Sequence, residues 1–420
     1  MKLIQKMDMH FIAYKLIVFL TILLTLSSFS WAGEKKSPAS GRIEFSGEFA
    51  PSEGFVRGPE QGIRQELCLN GYWDFQPVYK PNEKVKTKPY GINASDVAVD
   101  LPSPKENGWD AVKIKIPSEW TSVEEYPSYP ETWRQARMGW LRKQFEVPSN
   151  WDGKRIILRF QAIGGDCKVF LNGKKLGGHF DSTIPFEFDI TDKVKNGSLN
   201  EILIGTRSHG LFITPGKYGE LAFPPGGARM LGIWQDVYLL ALPKVYVTDV
   251  YIKPEVSSSR LVAEVTIKNT TNEDQTVKVN SIVNEWVNMA GKDMLTAPEV
   301  KWKLGNQALE FDSKEIKVPA GKEIKATLEK KVSNELKYWD FDHPNLYGMS
   351  VSLKERGKLV DKKYERFGWR EFKIEGKKLL LNGKSIQLLG DSQHLQNETY
   401  YSTTMDIGII RELFPHYIET

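Results

Sequence analysis

Short apolar runs alternating with polar positions fill most of the chain, and Gly, Pro, Asn and Asp punctuate them. Examples are "VKIKIP" (112–117), "GWLRKQFEVP" (139–148), "KRIILRFQAI" (154–163) and "CKVFLNGKKLGG" (167–178). A period of two sends successive side chains to opposite faces, so each run predicts a half-buried β-strand. Asn172-Gly173 and Asn382-Gly383 sit between such runs. A type I′ turn needs positive φ at both central residues, so each pair predicts a hairpin. "PFEFDITDKVKNGSLNEILIGTR" (185–207) continues the alternation, with a helical turn near Asp192. A Gly/Pro-rich loop (214–230) follows, and then another strand, "GIWQDVYLLAL" (232–242). Many short strands without long helical periodicity predict a β-sandwich.

A second series begins after Pro243-Lys244, with "VYVTDVYIKPEV", "RLVAEVTIKNTT", "QTVKVNSIVNEWV" and "KEIKATLEKKV" among its runs. It spans about 120 residues, the size of an immunoglobulin-like sandwich, without the Cys–Trp–Cys pattern of antibody domains. "FKIEGKKLLLNGKSIQLLG" predicts a further hairpin, and the tail predicts one helix from about Asp406 to Phe414, broken before Pro415.

Ahead of these runs, residues 33–62 are rich in Gly, Pro, Ser and charge and read as a tether or loosely packed lead-in. Residues 1–32 have a basic start, an apolar run from Leu16 to Leu26 and small residues at Ser30 and Ala32. That pattern predicts a signal peptide cleaved after Ala32 and export to the periplasm or the exterior. The apolar run is short for a bilayer, so no stable membrane span is expected after cleavage.

The length of 420 residues is a soft prior for two or three domains. The formal charge is +4, but Lys2, Lys6 and Lys15 lie with Asp8 in the leader, leaving the rest almost neutral. No Lys/Arg block stands out, which argues against a nucleic-acid partner. Two cysteines, Cys68 and Cys167, make no disulfide framework; whether they pair is open, and Cys167 reads as an ordinary core position on a strand. Six His residues without paired spacing indicate no metal site, and no cofactor is expected.

"LNGYWDF" (69–75), "IKIPSEW" (114–120), "GWLRKQFEVP", "VFLNGKKLGGHFDSTIPFEFDIT" (169–191) and "GIWQDVYL" (232–239) resemble the sugar-binding jelly roll of glycoside hydrolase family 2. "KYWDFDHPNLYGMSVSL" (337–353) is similar to the segment closing that family's immunoglobulin-like domain, and "RFGWREFKIEGKKLLLNGKSIQLLGDSQH" (366–394) to its junction into a catalytic (β/α)8 barrel. The resemblance implies a mainly β chain. A signal peptide (1–32) and lead-in (33–62) precede a jelly-roll β-sandwich (63–243), an immunoglobulin-like β-sandwich (244–365) and the truncated start of a (β/α)8 barrel (366–420).

A complete barrel takes about 250 residues, and only residues 367–420 follow Arg366. The resemblance implies an exported, retaining hydrolase of β-glycosides with a carbohydrate substrate. Such an enzyme uses an acid/base and a nucleophile about 5–5.5 Å apart, both on later barrel strands. No catalytic residue is therefore assigned in this chain, which alone is expected to be inactive. Asp391 and His394, at the end of the first barrel strand, are the substrate-binding candidates. Two departures stand out. Gln393 occupies a position where many members carry Arg, and the place where many carry an Asp reaching the pocket falls near Gly226.

The family's acid/base sits in an Asn-Glu dipeptide, and Glu83, Glu201, Glu273, Glu285, Glu335 and Glu398 each follow an Asn. Each reads as a solvent-facing Glu on a strand or turn. Trp73, Trp120, Trp140 and Trp234 read as core, whereas the surroundings of Tyr126, Trp133 and Tyr218 are the better place for a sugar-stacking ring. The competing reading is a secreted, non-catalytic carbohydrate-binding or adhesion module, and a barrel encoded downstream would discriminate. Oligomeric state is not legible.

Overall fold

A computed structural model describes residues 44–45, 54–79, 101–123, 126–179, 182–207, 231–289 and 302–388. The described residues form β-strands and short 3-10 turns, with no α-helix among them.

The first sandwich contains β1 (Glu44–Phe45), β2 (Gln65–Cys68), β3 (Gly71–Val78), β4 (Ile114–Ile116), β5 (Met138–Glu146), β6 (Arg155–Phe160), β7 (Asp166–Leu171), β8 (Lys174–His179), β9 (Phe186–Asp189), β10 (Leu199–Arg207) and β11 (Val237–Leu242). One sheet has the order β1-β2-β11-β6-β9 and the other β4-β3-β5-β10-β7-β8. The inward residues of both sheets make one core, with Trp73, Phe75, Trp120, Trp133, Leu141, Phe160, Val169, Ile204 and Leu239. Phe75 stacks on Trp120 at 5.1 Å and meets Trp133 edge-on at 4.6 Å. The three fully buried indoles of this core each find an acceptor: Trp73 donates to the Leu69 carbonyl (2.9 Å), Trp120 to the Ala136 carbonyl (3.1 Å) and Trp133 to the Asp110 carboxylate (2.9 Å). Partnered in this way, large aromatic surfaces are buried without stranding a donor.

The second sandwich contains β12 (Val245–Glu255), β13 (Arg260–Asn269), β14 (Gln275–Asn288), β15 (Trp302–Glu310), β16 (Lys314–Val318), β17 (Glu323–Lys331), β18 (Leu346–Glu355) and β19 (Lys358–Gly368). Its sheets are β12-β13-β17 and β15-β14-β18-β19, with β16 also pairing β14. Val265, Ile267, Val279, Val283, Met349, Val351 and Trp369 form its core. A separate meander follows: β20 (Phe372–Glu375), β21 (Lys378–Leu381) and β22 (Lys384–Ile386).

Both Asn-Gly pairs adopt the expected turn, with φ of 50° and 76° at Asn172-Gly173 and 51° and 79° at Asn382-Gly383. Arg356-Gly357 makes a third such turn (47° and 81°) between β18 and β19. Near Asp192 the chain makes a single helical turn, the Val194 amide donating to the Ile190 carbonyl at 3.0 Å. Cys68 and Cys167 are both buried and not disulfide-bonded. Burial pushes both thiols up, Cys167 to about 12.

The expectation of a loose lead-in needs correcting from Gly54 onward. Val56 and Glu60 are buried, and this segment clamps the second sandwich. The Glu60 carboxylate accepts from the Tyr364 amide (2.8 Å) and from Lys363 Nζ (3.2 Å). Arg64 forms a buried two-pronged pair with Asp361 (2.9 and 2.6 Å) and donates to the Val247 carbonyl at 2.6 Å. The Val247 amide returns a bond to Asp361 at 2.8 Å. Composition suggested a tether or loosely packed lead-in, since it does not reveal that the partners of Glu60 stand about 300 positions away.

Candidate functional site

The sequence points to Asp391 and His394, and both lie outside the described residues, as do Gly226, Tyr218 and Gln393. The described part of that segment is the β20–β22 meander, and its anchorage is visible. Asn382 holds the left-handed position of its turn and donates to the Trp339 carbonyl at 3.0 Å. Its side-chain oxygen accepts from the Glu371 amide (2.9 Å), and its own amide donates to the Glu371 carbonyl (2.8 Å). The Glu371 carboxylate accepts from the Ser257 amide (3.1 Å) and pairs with Lys373 (3.1 Å). These bonds tie the segment leading to Leu388 onto the second sandwich.

The motif around Trp339 serves the same end. Trp339 exchanges backbone contact with Trp369 (3.0 Å), and the Arg370 guanidinium lies 4.2 Å from its ring centre. Asp340 accepts from the His343 amide (2.6 Å) and from its ring Nδ1 (3.1 Å), which holds its carboxyl below the usual range. Tyr347 Oη accepts from the Lys337 amide at 2.8 Å. The motif is a hydrogen-bonded corner.

Four of the six Asn-Glu dipeptides are described. Glu201 lies on β10 beside Arg142 (3.9 Å), Glu273 in an exposed turn, and Glu285 on β14. The Glu335 carboxylate is held low by its own backbone amide first, and then by the amides of Ser333 (2.6 Å) and Asn334 (3.0 Å), which donate to it. A catalytic acid needs the opposite shift.

Sequence reasoning missed Glu66. It is 3% exposed, accepts from the Val56 amide at 2.7 Å, and burial raises its carboxyl to about 7. Such a value suits proton transfer, but the group is sealed beneath Val56 and Tyr238 in a small apolar cluster, closed to a sugar. Its strand, "QELC", reads as an ordinary alternation; only the covering lead-in reveals the burial.

The aromatic candidates divide in the same way. Trp73, Trp120 and Trp140 are core as expected, and Trp234 spends its N–H on the Ser182 carbonyl (2.8 Å). Trp133 is fully buried, so it offers no face to a sugar. Tyr126 is half-buried and stacked on Tyr129 at 5.0 Å. On the outer face of the second sandwich, Trp286, Trp302 and Tyr364 stack in sequence at 6.0 and 5.0 Å, with Arg366 4.9 Å from Trp286. Among the described residues no cluster of His, Cys, Asp and Glu could hold a metal ion, and no helix is long and apolar enough to cross a membrane.

Comparison with known proteins joins these observations. Residues 66–243 match the model of the glycosyl hydrolases family 2 sugar binding domain, and residues 245–370 match the model of glycosyl hydrolases family 2. A putative beta-glucuronidase of Formosa agariphila is 28% identical over 307 residues, covering 72% of this chain and 32% of the relative. A beta-glucuronidase of Bacteroides fragilis is 25% identical over 345 residues, covering 79% and 41%. The crystal structure of Bacteroides uniformis beta-glucuronidase superposes with a TM-score of 0.60 at 22% identity, covering 85% of this chain and 38% of that one. The chain thus spans about a third of the length of the first of these relatives. Two β-sandwiches in this order and both family matches together show that the chain belongs to glycosyl hydrolases family 2.

Proposed function

We propose that the protein is an exported β-glycosidase whose catalytic carboxylates lie outside the described residues. In this reading the two sandwiches and the β20–β22 meander form the frame that carries the sugar pocket. The carrying observation is the pair of consecutive family matches over 66–243 and 245–370. The buried carboxylates support the division of labour. Glu60 and Asp361 are committed to the joint between the sandwiches, and Glu66 is sealed. Asp391 and His394 are proposed to hydrogen-bond sugar hydroxyls at the end of the first barrel strand.

The reaction proposed is hydrolysis with retention, through a glycosyl intermediate on one carboxylate while the other donates and then accepts the proton. Named relatives include beta-glucuronidases and beta-galactosidases, so β-glucuronides and β-galactosides are the first substrates to try. The test uses the native gene product purified from its source with aryl β-glucuronides, β-galactosides and β-mannosides, the product anomer being read by NMR. Turnover with retention of the β-anomer is expected. Absence of turnover on the whole panel, or inversion, overturns the reading.

A further inference from the structure

A polar cleft of about 540 Å³ opens at the junction of the two sandwiches, lined in part by Arg155, Thr191, Asp192, Lys244, Thr271 and Asn272. Among the described residues, none of its lining comes from the segment that leads to Asp391 and His394. Its volume falls in the range of small-molecule sites, and domain junctions are favoured places for them. Such sites are mostly apolar; this one is not, which selects a ligand whose own surface is mostly hydroxyl.

Both walls are held in place from behind. Asp189 accepts from the Thr191 amide (3.1 Å) and hydroxyl (2.7 Å), and the Ile156 amide donates to Thr191 Oγ1 at 2.9 Å. Opposite, the Thr270 amide and hydroxyl both donate to the Lys244 carbonyl (2.9 and 2.8 Å). The fully buried Asn269 accepts from the Thr271 amide (2.9 Å) and hydroxyl (2.7 Å) while donating to the Val318 carbonyl (3.0 Å). Lys154 is fixed by the Ile63 carbonyl (3.0 Å) and Gln65 (2.8 Å). Asp192, Lys244 and Asn272 are exposed and make no side-chain bond among the described residues. Arg155 pairs with Asp189, yet its Nε hydrogen is buried without an acceptor.

Charge identifies the class of ligand. Arg155 is neutralised by Asp189, which leaves Lys154 and Lys244 against Asp152 and Asp192. A balanced site with interspersed carboxylate, amide, ammonium and hydroxyl groups gives no preference for an anion. It does match vicinal hydroxyls, each of which donates to one group and accepts from another. We propose that this cleft is an accessory binding site for a neutral oligosaccharide, resting on the reading that the protein acts on glycans.

The test is titration calorimetry of the whole chain with a neutral galacto-oligosaccharide and, separately, a glucuronate-containing oligosaccharide. The variants are Asp192→Ala and Asn272→Ala. Both positions are exposed, and thermal unfolding checks that each variant folds. The neutral sugar is expected to bind, and each variant to weaken it about tenfold or more, the cost of losing a hydrogen bond to a charged group or leaving its partner unsatisfied. No binding, binding of the uronate alone, or unchanged affinity in both variants overturns the proposal. Hydrolysis by the native product without cleft binding overturns the cleft alone, whereas cleft binding without hydrolysis overturns the catalytic reading alone.

Discussion

Glu66 shows what a single buried carboxyl does to a β-sandwich. Its folded pKa is about 7 against an ordinary 4.5, because burial outweighs the Val56 amide bond. A carboxyl raised on folding is penalised when ionised, so its contribution to stability is fully present below about 4.5 and is lost as pH rises through 7. The shift corresponds to at most about 3 kcal/mol. Glu66→Gln keeps the acceptor for Val56 and removes the ionisation. The variant should match the wild type at pH 4 and exceed it at pH 8, by urea unfolding. Parallel pH profiles for the two proteins would contradict this. None of this was legible in "QELC", because strand alternation states which residues face inward, not what covers them. Cys167 was legible: its alternating strand marked an ordinary core position, which the buried, unbridged thiol matches.

Among the elements, hairpins were the most legible because positive φ at two successive positions leaves few residue choices. Asn172-Gly173 and Asn382-Gly383 announce themselves; Arg356-Gly357 does not, since Arg carries no such preference. Asn382 also does more than turn the chain, for its side chain bridges Glu371 to the Trp339 carbonyl. Asn382→Ala puts a Cβ-bearing residue without local hydrogen bonding at φ 51° and removes both bonds. A local loss of about 2 kcal/mol is expected from the conformational and hydrogen-bond costs together. Hydrogen exchange should show faster amides in β20–β22 and unchanged protection in β13 and β18. Unchanged protection in the meander would contradict the anchoring role. The lead-in was misread for a physical reason: a Gly/Pro/charge-rich composition looks solvated until its partners in the second sandwich are known.

At the scale of the molecule, the joint between the sandwiches rests on Arg64, Asp361 and the Val247 peptide, all buried together. Removing one member leaves an unpaired buried charge, which costs about 3–5 kcal/mol. Asp361→Ala should therefore lower the stability of the whole chain, whereas Arg64→Met combined with Asp361→Leu should recover most of the loss. Calorimetry reads the difference; a double variant as unstable as the single one contradicts it. Family and architecture were legible because several motifs recur in order along the chain, from "LNGYWDF" to the Trp339 corner. The sugar pocket was not, because the described carboxylates that are buried serve packing and the joint. The measurement that tests this account most directly is turnover of the aryl β-glycoside panel by the purified chain of 420 residues. Any turnover is predicted to survive neutralisation of each described carboxylate, since those that are buried serve packing and the joint. Hydrolysis that survives repurification and disappears when a carboxylate within 54–388 is neutralised would contradict it.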